Sequence, residues 1–214
     1  MDGKRAAAAF FADRVIVVEG HSDLAYFMWL RSMGLLDGIG ANVGVLDAHG
    51  KFELHRAATT LSLFRIPHVV VWDGDAHGRT GDDLKKVACR DEAAWQALRA
   101  AANDPRSTTV GGIRLAGALE KWLGVHTEQA PAWKSGSLVA ELDQHFHVRG
   151  SSVRDRSTAL VAAIADLFDG KTAAAHADAA MFADCLFAPP FPQATVDFAA
   201  ELASLPILQC RCRP

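Results

Sequence analysis

The chain has little of what usually betrays a secreted, membrane-bound or plainly DNA-coating protein. It has only four cysteines in 214 residues, Cys89, Cys185, Cys210 and Cys212. Their spacing gives no CxxC pair and no disulfide framework, so the thiols are expected to be reduced and the setting cytoplasmic. Cys210-x-Cys212 reads as a frayed tail rather than a metal site. No apolar run is long enough to cross a bilayer. The apolar stretch near the N-terminus is broken by Asp13 and Arg14, which excludes a signal peptide. A basic excess is also missing. The net charge is −3, whereas a free-standing DNA binder draws most of its affinity from neutralising phosphates. That leaves room for an enzyme that meets nucleic acid through a bound cation. Half the residues are hydrophobic and 22% are charged, which suits one ordinary core with, at most, a small appendage.

What is present is a regular alternation. RVIVVEG (14–20) is a continuously apolar, β-branched run that ends in an acid and a glycine. It predicts a strand buried on both faces, as in a parallel sheet. A helix follows, with Ser22 as its expected cap and Gly34 and Gly38 at its end. VGVLDA (43–48) predicts a second strand and KFELHRAATTLSLFR a second helix, stopped by Pro67. HVVVWDGD (68–75) predicts a third strand, again ending in acids. Three strands separated by helices indicate a parallel α/β sheet. A helix from about Asp83 to Ala102 and a fourth strand in STTVGGIRL, weakened by Gly111-Gly112, extend the pattern. Gly117–Leu123 opens another helix. From Lys134 onward only helices are expected, over Ser137–His147, Ser157–Phe168, Thr172–Phe187 and Ala194–Leu205. The expected organisation is thus an α/β domain over 8–125 and a helical C-terminal region over 126–214, packed on or beside it.

Glu19, Asp73 and Asp75 each lie where a predicted parallel strand runs out, the edge at which open α/β sheets bind ligands. If the first and third strands are neighbours, Glu19 faces the Asp73/Asp75 pair across about 5 Å. Asp73 and Asp75, two residues apart, point to one side if the strand stays extended. Two such charges about 4 Å apart repel by on the order of 4 kcal/mol even at an effective dielectric near 20. Protons or a cation must offset that repulsion. Hard oxygen ligands suit Mg²⁺, with Mn²⁺ or Ca²⁺ as substitutes, and a carboxylate-held Mg²⁺ keeps positions open for water and phosphate. Asp23, four residues after Glu19, either completes such a shell or simply favours the helix dipole.

The segments FFADRVIVVEGHSD and GKFELHRAATTLSLFRIPHVVVWDGD resemble the Toprim domain of the overcoming-lysogenization-defect (OLD) family of nucleases. The resemblance rests on Glu19 after a first strand and Asp73-Gly74-Asp75 after a third. The aromatic-Ala-Asp lead into the first predicted strand, Gly50-Lys51 and Ile66-Pro67 add to it. It implies a Rossmann-like Toprim sheet with a helical extension, and a metal-dependent endonuclease that nicks or cleaves DNA with two divalent ions. It also implies an added acid in the first helix, matched by Asp23, and a downstream acid, matched by Glu120, although Ala118 stands where such proteins offer Ser or Gly. A late lysine is implied too, with Lys171 as the candidate. In that scheme Glu19, Asp73 and Asp75 hold one cation, Asp23 and Glu120 help hold a second, and Lys171 offsets transition-state charge. Glu19 is alternatively a general acid or base. Family members carry an ABC-type ATPase domain ahead of the Toprim region. No Walker A sequence occurs in this chain, so it is expected to be a C-terminal fragment whose ATPase domain, and any homodimer made through it, lie elsewhere in the polypeptide.

Gly20 and Gly74 are expected to permit tight turns and close approach to phosphate. Arg149, Arg154 and Arg156 form a basic patch suited to a DNA backbone, or simply a solvated loop. His21 and His77 flank the acids and are expected to be solvated. His145-x-His147 lacks a third zinc ligand, and Asp47 reads as structural. The tryptophans read as core. Two rivals remain: a haloacid-dehalogenase-like phosphohydrolase, whose DxD would follow the first strand where Glu19 stands, and a non-catalytic Toprim regulatory module. A topoisomerase would need a tyrosine nucleophile, and the only tyrosine, Tyr26, lies inside the first helix.

Overall fold

β1 (Arg14–Val18) is almost entirely buried because both of its faces are covered. In the computed structural model, residues 7–75, 79–126, 131–171, 186–187 and 189–191 are described, with the backbone alone for 131–133 and 186–187. β2 (Val43–Asp47), β3 (His68–Asp73) and β4 (Thr109–Leu115) join β1 in a sheet of order β2-β1-β3-β4-β5. The first four strands are parallel; β5 (Leu186–Phe187) pairs antiparallel with β4. β1 and β3 are direct neighbours, Val15 opposite His68 and Val18 opposite Val71. The ends of these two strands, and the acids that follow them, therefore meet at one rim.

The period-two alternation of a strand divides the core into two layers. Ile16, Val18, Val69 and Val71 pack with α1 (His21–Ser32), α4 (Leu119–Leu123), α5 (Pro131–Phe146) and α6 (Ser152–Phe168). Val15, Val17, Val70 and Trp72 pack on the other side with α2 (Leu54–Leu63) and α3 (Gly81–Ala102). The helices after residue 125 share the first layer's core through Leu138, Leu142, Leu160 and Ile164. Two polar ties accompany that packing. The Tyr26 hydroxyl donates to Ser157 Oγ at 2.9 Å, and Trp29 Nε1 donates to Asp143 Oδ1 at 2.6 Å.

Several local expectations are corrected. Gly20, not Ser22, is the N-cap of α1. α6 begins five residues before Ser157, and Ser151 caps it by accepting from the Val153 N–H at 3.2 Å. Ser157 is instead fully buried beneath Tyr26. α5 starts at Pro131 rather than Ser137. The Gly111-Gly112 pair does not weaken β4 but makes room. A Cβ at Gly111 would lie 2.7 Å from both methyls of Leu167, and one at Gly112 would lie 3.0 Å from Phe191 and Trp72. Strand structure does return late in the chain, at Leu186–Phe187, within the stretch predicted as helix. The remainder of that helix and the whole of 194–205 lie outside the described residues, as do His77, Cys185, Cys210 and Cys212. Cys89 is disulfide-bonded, against the expectation of reduced thiols. Among the described residues no helix is long and apolar enough to cross a membrane.

Candidate metal centre

The carboxyl rim of the sheet gathers more charge than the three strand-end acids. β1 delivers Glu19, β3 delivers Asp73, and the turn after β3 delivers Asp75. The first turn of α1 adds Asp23, α4 adds Glu120 and α3 adds Asp91. Against these six carboxyls stand the ammonium groups of Lys51 and Lys134.

Glu19 and Asp73 sit at the centre. The backbone N–H of Asp73 donates to Glu19 Oε2 at 3.3 Å, which fixes the two strand ends against each other. From there the acids divide. Glu19 feels chiefly Lys51, Asp75 and Asp91 among nearby charges. Asp73 feels Asp23 first, then Glu19, Asp75 and Glu120. Asp75 is not extended beyond Asp73, because β3 ends at Asp73 and Asp75 is in a turn. The expectation that both point to one side on a continuing strand is thereby corrected.

On the α2/α3 side, Lys51 is the organising group. β2 ends at Asp47, and the chain turns through His49 and Gly50 into a single 3-10 turn, Lys51–Glu53. Gly50 has φ 128 and ψ 156, a conformation almost reserved for glycine. Its N–H donates to the Glu19 carbonyl at 2.7 Å, tying the β2 exit to the β1 exit. Lys51 then runs inward, only 8% exposed. Its Nζ donates to Asp91 Oδ1 at 2.6 Å, Asp75 Oδ2 at 2.7 Å and the Asp73 carbonyl at 2.8 Å. Glu19 Oε2 is 3.8 Å away. Burial works against the ammonium charge, but Glu19 and Asp91 outweigh it and the pKa of Lys51 is raised.

On the α1/α4/α5 side, Asp23 is buried and accepts the Gly20 N–H through Oδ2 at 2.9 Å. It therefore caps its helix and faces the acids at once. Burial, then repulsion from Glu19, pushes its pKa up to about 7. Burial also pushes Asp73 well above the usual carboxylate range, reinforced by Asp23, Glu19 and Asp75. Glu19 is raised by burial despite Lys51. Asp73 Oδ1 is buried without a hydrogen-bond partner. Lys134, in the first turns of α5 and 37% exposed, lies 2.6 Å from Glu120 Oε1.

The residues fit a hard divalent cation. The carboxyls outnumber the lysines, burial and then mutual repulsion make three of them hold protons more tightly than usual, and Asp73 Oδ1 is buried without a hydrogen bond. Among the described residues, however, no three Asp, Glu, His or Cys side chains already converge into a preformed ion shell. Lysine ammoniums stand between the acids instead.

The other candidates fall elsewhere. Lys171 pairs with Asp166 at 3.0 Å and Asp169 at 3.5 Å, and Asp169 in turn pairs with Arg14 at 3.5 Å. Arg14 opens β1, so Lys171 lies at the amino edge of the sheet, across the strand's length of roughly 16 Å from the acids. The structure does not bring it to the site; Lys51 and Lys134 are the lysines found there. Gly20 and Gly74 both spend their N–H groups internally, on Asp23 and on the Leu115 carbonyl, each at 2.9 Å. A Cβ on Gly74 would lie 2.5 Å from that carbonyl oxygen, so the close approach it permits is to β4. Arg149 and Arg154 are exposed and Arg156 is half-buried around the α5–α6 turn. From Lys134 to the end of α5 at Phe146 is a rise of about 18 Å, so these arginines flank the rim rather than join it. His21 and His49 lie 3.9 and 3.3 Å from the buried Asp47 Oδ2, on the outer side of the rim.

Asp91 escaped the reading of the sequence and Lys51 entered it only through the Gly50-Lys51 pair, with no role at the site, but each left a signal. Lys51 comes just after the turn that ends β2 at Asp47, and Asp91 interrupts the apolar stripe Ala88, Trp95, Leu98, Ala102 on α3.

A parallel α/β sheet whose first and third strands bring Glu19 and a DxD to one rim defines a Toprim domain, a class that binds divalent metal and acts on nucleic acid. Residues 10–75 match the family model described as overcoming lysogenization defect protein-like, TOPRIM domain, and the chain carries a Toprim domain of that OLD-like family. No curated protein matches the chain.

Proposed function

We propose that this protein is a divalent-metal-dependent nuclease that nicks or cleaves DNA by phosphodiester hydrolysis, with Mg²⁺ as the resident ion. The observation that carries the reading is the buried, unpartnered Oδ1 of Asp73, set among Asp23, Glu19, Asp75 and Glu120. A bound Mg²⁺ would supply Lewis acidity at the scissile phosphate and acidify a water. Asp73, Asp23 and Glu120 are the side chains to hold it. Glu19, held against the Asp73 backbone, is placed to orient the attacking water or take its proton. Lys51 and Lys134 offset negative charge at the rim. Arg149, Arg154 and Arg156 suit phosphates farther along the strand.

The test is cleavage of supercoiled plasmid with Mg²⁺, Mn²⁺, Ca²⁺ or EDTA, with Asp73→Ala and Glu19→Ala beside the wild type. Metal-dependent nicking lost in both variants is the expected result. Equal nicking by all three would trace the activity to a contaminant and end the reading. One observation favours a non-catalytic module: Lys51 already neutralises part of the acid cluster. Calorimetric titration with Mg²⁺ separates the two, because a vestigial site would take up no ion.

A further inference from the structure

We propose that Lys51 is a resident cation that fills the Glu19/Asp75/Asp91 half of the rim, so that the chain takes up one divalent ion, at Asp23/Asp73/Glu120, rather than the two its family resemblance implies. The inference rests on the metal-dependent reading above and concerns the number and place of the ions.

An ammonium group has three N–H donors and no acceptor. Lys51 uses all three, on Asp91 at 2.6 Å, Asp75 at 2.7 Å and the Asp73 carbonyl at 2.8 Å, with Glu19 at 3.8 Å as a further counter-charge. Nothing in that shell is left for water. A second metal ion entering it would have to compete for the same oxygens at about 2.1 Å, with a positive charge already between them. Expelling the ammonium would leave Lys51, only 8% exposed, without its three acceptors and would take one close counter-charge from Asp91, also 8% exposed.

The other half behaves differently. Lys134 is 37% exposed on its side chain and reaches Glu120 from a helix start, so it can swing into water when an ion arrives. Asp73 Oδ1 is already buried and unpartnered there. One half of the rim is thus closed by a buried lysine, and the other is closed only by a surface one. Lys51 also grips Asp75 and the Asp73 backbone together, which makes it a positioning residue for the Asp73-Gly74-Asp75 turn.

The test is Mn²⁺ stoichiometry by electron paramagnetic resonance titration of the whole chain. Wild type is expected to bind one Mn²⁺ and Lys51→Met two, the second lost again in Lys51→Met/Asp75→Asn. Should Lys51→Met fail to fold, Lys51→Met/Asp91→Asn removes both charges of that 2.6 Å pair together and is expected to bind two. Two ions on the wild type would overturn the inference and leave the nuclease reading standing. One ion on every folded Lys51 variant would overturn it as well. No ion on the wild type would sink both.

Discussion

Charge removal at Asp23 gives the sharpest energetic test of the rim. Its carboxyl titrates near 7 in the folded chain against an ordinary value of 3.8. Because the folded pKa lies above the unfolded one, the stabilising contribution is complete below about pH 4 and is lost as pH rises through 7. At about 1.4 kcal/mol per pH unit, the loss by pH 8 is roughly 4 kcal/mol. Asp23→Asn keeps an oxygen to accept the Gly20 N–H but carries no charge. It should therefore melt above the wild type in EDTA at pH 8, with the difference fading as pH falls towards 4. Mg²⁺ at about a hundredfold over its dissociation constant should restore roughly 3 kcal/mol to the wild type. For a chain of this size that is on the order of 6–12 °C. The shift should shrink at pH 5, where protons compete, and should be smaller in Asp23→Asn. Differential scanning fluorimetry over a grid of pH and Mg²⁺ reads all of this. If metal-free Asp23→Asn is no more stable than the wild type at pH 8 and Mg²⁺ moves neither, the acids are not under the strain argued above.

Other outcomes follow from single contacts. Lys171→Ala should leave plasmid nicking unchanged, since its partners hold it at the amino edge of the sheet; a large loss of activity would mean that edge reaches the substrate. Gly74→Ala drives a methyl into the Leu115 carbonyl, and denaturant unfolding should register a cost of about 1–3 kcal/mol along with weakened nicking. His68 is buried and kept neutral, its pKa lowered to about 4 by burial. A lowered folded value means stability present above about 6.5 and lost as pH falls towards 4, by roughly 3 kcal/mol. Urea unfolding of His68→Gln beside the wild type at pH 7 and 4.5 should show that slope in the wild type alone.

The sheet was legible because its strands are buried on both faces, so VIVV and VVVW read as continuous apolar runs, each ending at an acid. The neighbouring of β1 and β3 enters the sequence reading only as a condition, because alternation alone leaves the strand order open, and the strand register supplies it. The charge pattern around the acids was harder to see. Asp91 lies eighteen residues beyond Asp73 on a long helix, and only the packing of α3 on the sheet brings it under Lys51. Lys134 reaches Glu120 across a chain segment with no periodic signal. Lys171 was assigned by analogy, and local ion pairs on α6 decide its place instead. Gly111-Gly112 looked like a defect because a one-dimensional pattern cannot show Leu167 and Phe191 filling the missing volume.

The shared hydrophobic layer bears on how the protein can be handled. Stopping the chain at residue 125 would strip Ser157 from the Tyr26 hydroxyl and Asp143 from the Trp29 indole. It would also bare the flank of α1 and the sheet now shielded by Leu138, Leu142 and Ile164, and remove Lys134 from the rim. An excised piece of that length is a candidate for inclusion bodies, so expression work on the Toprim portion should retain everything through Phe191, whose buried ring packs over Gly112.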